Sequence, residues 1–221
     1  MEIGIIGLPR SGKTTIFNAV TRGRADVVGY SNKPNVGVAK VPDERLDTLA
    51  RMYQPKRITP AEVTYTDIPP PPEGLGNTRG ISGEYLNAIQ SVDAILVVVR
   101  AFQNSSVPHV DETINPIRDT ENMLMEMTFS DLDILDRRVA RIQDGFKKAG
   151  TQDRIWLTQE RDLLLRIKEN INSGIALKDQ PLSPDEIKMI SGFGFLSLKP
   201  LIVAMNIDEE QIEESVALEK Q

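Results

Sequence analysis

A chain of 221 residues, 40% hydrophobic and 26% charged, has the composition of an ordinary globular protein, long enough for one domain carrying an insertion. Its net charge of −6 gives no global support for nucleic-acid binding, leaving only local basic patches, and no apolar run approaches the roughly 20 residues needed to cross a bilayer. With no cysteine and one histidine, His109, a disulfide framework, a thiolate metal site, a cysteine nucleophile and a His-rich metal centre are all excluded. The chain enters a strand-like run without a signal peptide, so the expected compartment is the cytoplasm and no membrane partner is expected.

The first element is the apolar run Ile3–Ile6, followed by Gly7-Leu8-Pro9-Arg10-Ser11-Gly12-Lys13-Thr14 and a helix-compatible stretch through Val20. Strand, glycine loop and helix in that order make GxxxxGKT a phosphate-binding loop. Successive backbone N–H groups at a helix N-terminus form a concave, partly positive anion site. Leu8 through Thr15 are the expected nucleotide contacts. Lys13 is expected to reach the β- and γ-phosphates as a catalytic cation, and Thr14 to ligate Mg²⁺. Ser31, in the loop after this helix, is a candidate to complete the Mg²⁺ shell; a plain turn serine is the other reading.

Val36–Val41 offers an edge strand, and Val63–Ile68, Ala94–Val99 and Leu201–Met205 read, with Ile3–Ile6, as buried parallel strands. Strands separated by helical or loop segments specify an α/β fold, a mostly parallel doubly wound sheet. Ligands of such sheets bind at the carboxyl ends of the strands. Asp67 lies at such an end and is the candidate Mg²⁺-organising carboxylate. Directly after it comes Pro69-Pro70-Pro71-Pro72-Glu73-Gly74-Leu75-Gly76-Asn77-Thr78-Arg79-Gly80, which is neither helix nor central strand and is expected to hang over the phosphates.

Residues 118–190 follow a different grammar. Met125, Leu132, Leu135, Val139, Ile142 and Phe146 repeat at 3–4 spacing with Thr128 as a polar gap, and Leu157, Leu164, Ile167 and Ile171 repeat the stripe after a turn at Gly150–Asp153. Two apolar-striped helices joined by a short turn predict an antiparallel helical hairpin, a coiled coil inserted into the nucleotide-binding domain. Its outward face carries Arg137, Arg138, Arg141, Lys147 and Lys148, a solvated face or an RNA-contacting one. Ser183-Pro184-Asp185-Glu186 predicts a capped helix start. The expected division is therefore 1–117 with 191–221 as a P-loop domain, and 118–190 as the insert.

Asn206-Ile207-Asp208-Glu209 follows the last strand. Guanine recognition would place a lysine after this asparagine and an aspartate three residues on. Ile207 and Glu209 stand there instead, so Asn206 and Glu209 point to adenine, with a cap at Asp208 as the bland alternative.

These residues bring the chain to a known family. It resembles the Obg-like ATPases of the YchF subfamily, in the TRAFAC class of P-loop NTPases. The resemblance rests on Gly7–Thr14, on Lys33-Pro34-Asn35-Val36-Gly37-Val38 and on Val41-Pro42-Asp43-Glu44-Arg45-Leu46. It extends through Arg100-Ala101-Phe102-Gln103-Asn104, His109-Val110, the helical insert and Phe195-Leu196-Ser197-Leu198-Lys199-Pro200. It implies an ATP-preferring domain with an inserted coiled coil, association with the ribosome or its RNA, and a monomer. The family's Asn-x-x-Glu base motif falls on Asn206 and Glu209. The family also continues with another strand and a C-terminal TGS-like domain, so a chain stopping at Gln221 is expected to be a truncated or short form.

Two departures from the family bear on turnover. Pro70 stands where a glycine N–H donates to the γ-phosphate, and proline has none to give; Pro71 offers no general base. Arg10 replaces a P-loop asparagine that helps bind a monovalent cation, and is either a catalytic charge in the cation's place or a side chain pointing into solvent. The expected function is a slow, Mg²⁺-dependent ATPase acting as a ribosome-associated switch. A nucleotide-binding scaffold with negligible hydrolysis and a GTPase are the alternatives.

Overall fold

The computed structural model describes residues 1–23, 34–69, 81, 83–104, 106–107, 109, 113–147 and 150–214. The chain forms two compact units: residues 1–71, 91–119 and 200–221 make the first, and 72–90 with 120–199 the second.

The first unit is built on a five-stranded sheet in the order β2-β3-β1-β4-β5. β1 (Glu2–Ile6) lies at its centre, parallel to both β3 (Glu62–Asp67) and β4 (Ala94–Arg100), and β4 is parallel to β5 (Leu201–Asn206). Ile5, Ile6, Ile95, Val97 and Val98 have no solvent exposure, as expected where a parallel sheet is covered on both faces. β2 (Asn35–Lys40) pairs antiparallel with β3 and forms one edge. The expected strands and the edge strand are present. One expectation fails at β5: the run is a strand but not a buried one, with Ile202 and Val203 exposed. Its sheet neighbour among the described residues is β4, and a strand paired on one side keeps solvent on its other flank.

α1 (Lys13–Thr21) packs Phe17 onto Ile5 and Val98, so the helix carrying the phosphate loop is fixed to the central strands. Between β2 and β3 runs α2 (Glu44–Tyr53). Its N-cap Asp43 accepts from the Arg45 backbone N–H at 2.9 Å, and acidic Glu44 and Asp47 occupy its first turn. None of its residues is buried.

The second unit contains most of α3 (Gly83–Ser91) and, from Thr120 on, a helical hairpin of α4 (Pro116–Phe146) followed by α5 (Thr151–Asn172). Cross-hairpin pairs fix the antiparallel sense: Arg138 with Glu160, and Lys168 with Asp136. Leu135, Ile142, Leu163, Leu164 and Ile167 form the buried seam, joined by Leu177, Ile190 and Phe195. Met125 does not belong to the stripe. It is exposed, whereas Met123 and Met127 are buried, because extrapolating the 3–4 spacing back from Leu132 steps onto the wrong face. Arg138 is likewise not part of a solvated face. Its Nε and Nη2 donate to the two oxygens of buried Glu160 at 2.6 and 2.9 Å, and it lies over the Phe193 ring. Arg137, Arg141 and Lys147 are exposed as expected; Lys148 lies outside the described residues.

α6 (Pro184–Ile190) starts at Ser183 with a full capping box to Glu186. Buried Asp131 of α4 accepts from the backbone N–H groups of Leu196 and Ser197 at 2.7 and 2.9 Å, and from the Ser197 hydroxyl. This tie anchors the Phe195–Lys199 turn to the hairpin, and burial pushes the Asp131 carboxyl up despite the three donors. Ser130 accepts from the Ile81 N–H at 2.6 Å and donates to its carbonyl at 3.0 Å. Among the described residues no helix is long and apolar enough to cross a membrane.

Candidate nucleotide site

The loop between β1 and α1 requires glycine at two points. Gly7 has φ +151°, and a Cβ there would lie 2.2 Å from the Val98 carbonyl oxygen on β4. Gly12 has φ +94°, and a Cβ there would lie 2.0 Å from Asn206 Nδ2. The first glycine lets the loop turn tightly over the sheet. The second opens α1 with free backbone donors and leaves room for Asn206.

Lys13 is 7% exposed and donates to the carbonyls of Gly7 and Leu8 at 3.1 and 3.0 Å. Burial lowers its pKa from 10.5 to about 8, with Asp67 pulling the other way. The ammonium is thus curled into the loop's concavity, where an anion would exchange for two neutral carbonyls. Ser11 Oγ is buried in the same loop without a hydrogen-bond partner among the described residues. An orphaned hydroxyl beside a buried ammonium and a helix N-terminus fits a polyanionic ligand.

Thr14 Oγ1 donates to Asp67 Oδ2 at 2.7 Å. The antiparallel register sets Asn35 opposite Asp67, and Asn35 Nδ2 donates to the same oxygen at 3.4 Å. A hydroxyl and a buried carboxylate side by side, next to the phosphate loop, suit a hard cation that takes oxygen ligands and shares them with phosphate. Ser31 lies outside the described residues, as do Pro70 and Pro71.

Asn206 is brought into the site. Its Nδ2 donates to the Ser11 carbonyl at 3.0 Å, and its own carbonyl accepts from the N–H groups of Ala101 and Phe102 at 2.8 and 3.0 Å. Glu209 is exposed at the start of a 3₁₀ turn, Glu209–Glu214. Asp208 is that turn's cap, accepting from the Gln211 N–H at 3.2 Å. The cap and the site asparagine therefore coexist two residues apart.

Leu8 is buried, Pro9 half-buried and Thr15 exposed. Arg10 has φ 64°, a left-handed conformation rare for arginine, and its side chain is exposed. Its charge helps lower the pKa of Arg100, after the larger effect of Arg100's own burial. Arg100 sits over the Phe102 ring and donates to the carbonyls of Phe102, Asn104 and Val107, fixing the loop beyond β4. Asn35 and Arg100 were not singled out by residue type. The signal that finds Asn35 is the β2–β3 register, which no local pattern supplies.

Residues 2–129 match the family of 50S ribosome-binding GTPases. The ribosome-binding ATPase YchF of Pasteurella multocida (strain Pm70) is 34% identical over 222 residues, covering 99% of this chain and 60% of the relative. That of Escherichia coli O157:H7 is 33% identical with the same coverage, and that of Bacillus subtilis (strain 168) is 31% identical over 96% of this chain and 58% of the relative. The solved structure of the Schizosaccharomyces pombe YchF GTPase superposes with a TM-score of 0.80 at 26% identity, over all of this chain and 61% of that one. The chain thus spans about 60% of the length of these relatives.

Proposed function

We infer the function from one premise: the chain belongs to the 50S ribosome-binding GTPase family and groups with the YchF proteins within it. It is a nucleotide-binding NTPase of the P-loop type. We propose further that its ligand is ATP, that it hydrolyses ATP slowly to ADP and phosphate, and that it works in the cytoplasm as a monomeric switch on the ribosome. The observation that carries the catalytic reading is the cluster Lys13, Thr14 and Asp67, with Lys13 held against the loop and Thr14 on the carboxylate.

In this reading Lys13 binds the β- and γ-phosphates, and the loop from Leu8 to Thr15 cradles them with its backbone N–H groups, Pro9 having none. Thr14 and Asp67, with Ser31, hold Mg²⁺, which supplies charge neutralisation on the phosphates when bound. Asn206 and Glu209 recognise the base; the missing lysine at Ile207 and the longer Glu209 favour adenine over guanine. Arg10 supplies a further positive charge at the phosphates. We assign 1–117 and 191–221 to the nucleotide-binding domain and 118–190 to the insert, although the compact unit around the hairpin also takes in 72–90 and 191–199 and leaves out 118–119.

A second reading has a specific observation behind it. Pro70 cannot donate a backbone N–H, and one charge-assisted donor in a desolvated site is worth roughly 2–4 kcal/mol, or about 10²–10³ in rate. A scaffold that binds nucleotide with negligible hydrolysis follows if nothing replaces that donor. Multiple-turnover phosphate release, with Lys13→Ala as control, separates the two. Turnover that disappears in Lys13→Ala supports the ATPase, and release at background in both proteins supports the scaffold. Competition between ATP and GTP tests the base: binding of GTP without ATP overturns the adenine assignment.

A further inference from the structure

The stretch Arg51-Met52-Tyr53-Gln54-Pro55-Lys56-Arg57-Ile58 is exposed at every residue. It begins in the last turn of α2, a helix that buries no side chain, and leaves it at Gln54, which adopts the left-handed conformation with φ 43°. The remainder, to β3, runs as irregular chain between Pro55 and Pro60. Three cations and no acid lie in these eight residues, within a chain whose net charge is −6. Among the described residues neither Lys56 nor Arg57 takes part in an ion pair, whereas Arg45 at the start of the helix is paired with Asp43. Tyr53, 77% exposed, stands between the cation two residues before it and the two that follow at positions 56 and 57.

An exposed ring flanked on both sides by cations matches a base and its neighbouring phosphates. The apolar residues Met52 and Ile58 are interleaved with the charges rather than gathered on one face, which is not the pattern of a helix lying in a bilayer surface. Charge and ring chemistry together favour RNA over an apolar protein face. We propose that Arg51–Ile58 is an RNA-contacting surface, with Tyr53 stacking on an unpaired base and Lys56 and Arg57 on its phosphates. The proposal rests on the ribosome reading above, and it places contact on the nucleotide-binding unit rather than on the basic face of the hairpin.

Binding of the full chain to purified ribosomes and to protein-free ribosomal RNA is measured between 50 and 200 mM KCl. The variants are Tyr53→Ala, Tyr53→Trp and Lys56→Glu with Arg57→Glu, each checked for unchanged ATP affinity and helix content. The charge-reversed protein is expected to bind at least about tenfold more weakly to both, with the slope of log affinity against log salt reduced by about 1.5. Tyr53→Ala is expected to lose roughly tenfold or more, and Tyr53→Trp to retain binding. Ribosome binding that all variants leave intact overturns this surface and leaves the ribosome reading standing. Ribosome binding weakened by the variants, without any affinity for protein-free RNA, makes the partner a ribosomal protein and overturns the RNA assignment. No binding to either by the unaltered chain overturns both readings.

Discussion

Lys13 is the residue at which folding and ligand binding conflict. Its ammonium is buried against two carbonyls, and its pKa is lowered from 10.5 to about 8, a shift worth about 3 kcal/mol. The sign follows from proton counts. Between pH 8 and 10.5 the unfolded lysine holds its proton and the folded one loses it, so this residue's contribution makes the nucleotide-free protein more stable as pH rises through that window. Below pH 8 the burial cost is fully present. Lys13→Met is therefore expected to be more stable than the natural protein at pH 7 by about 1–3 kcal/mol, with the difference shrinking toward pH 10.5. Urea unfolding at several pH values, without nucleotide or Mg²⁺, measures it, and an equal difference at all pH values would contradict the assignment. The same variant is expected to lose triphosphate binding. At Gly12 the expectation is steric: Gly12→Ala drives a methyl group onto Asn206 in a backbone region hostile to alanine. Weaker nucleotide binding, with lower stability, should appear in the same titrations.

The helical hairpin shows how an element can hide its own polar cost. Glu160 is fully buried and Arg138 is its bidentate partner, which raises the arginine's pKa further through their hydrogen bond. Removing Arg138 alone strands a buried carboxylate, so Arg138→Met is expected to cost about 3–5 kcal/mol. Arg138→Met together with Glu160→Leu is expected to recover most of that loss, and denaturation of the four proteins of the cycle tests it. The hairpin also marks where sequence reading succeeds and where it stops. Two striped helices and a polar turn were legible because 3.6-residue periodicity is local; the phosphate loop and the central strands were legible for the same kind of reason. The Arg138–Glu160 pair was not, because it depends on how two remote segments align. The exposure of Met125 between buried Met123 and Met127 is not legible either, because which face of α4 is covered there depends on the remote segments that pack on it. Asn35 belongs to a segment that carries the family resemblance, but its sequence context gives it no site role, since only its pairing opposite Asp67 gives it chemistry.

At the scale of the whole molecule, the site residues named above as ligand contacts lie in the first compact unit, and the hairpin seam lies in the second. A ligand bound to the folded site alone stabilises by mass action, about 2.7 kcal/mol at a hundred times its dissociation constant. Mg·ATP at that excess is expected to slow hydrogen exchange in β1, β4 and α1 by about a hundredfold. Amides of the α5 seam around Leu164 are expected to follow only to the extent that the two units unfold together. Exchange measured residue by residue with and without nucleotide therefore reports the cooperativity of the chain. Equal slowing everywhere identifies one cooperative system, and slowing confined to the first unit identifies two.

The single oxygen Asp67 Oδ2, which accepts from both Thr14 and Asn35, has a consequence for how mutants of this site should be interpreted. Three segments of the chain meet on that atom: the start of α1, the start of β2 and the end of β3. If Asp67 holds Mg²⁺ as proposed above, an Asp67→Ala protein is a pleiotropic lesion, in which lost cation affinity is confounded with loss of the ties to Thr14 and Asn35. Asn35→Ala supplies the matching control, since it removes the β2 side-chain tie to that oxygen while leaving the carboxylate, the Thr14 hydroxyl and the β2–β3 backbone pairing in place. The part of the Asp67→Ala defect that Asn35→Ala reproduces belongs to the scaffold, and only the remainder bears on the proposed Mg²⁺ site.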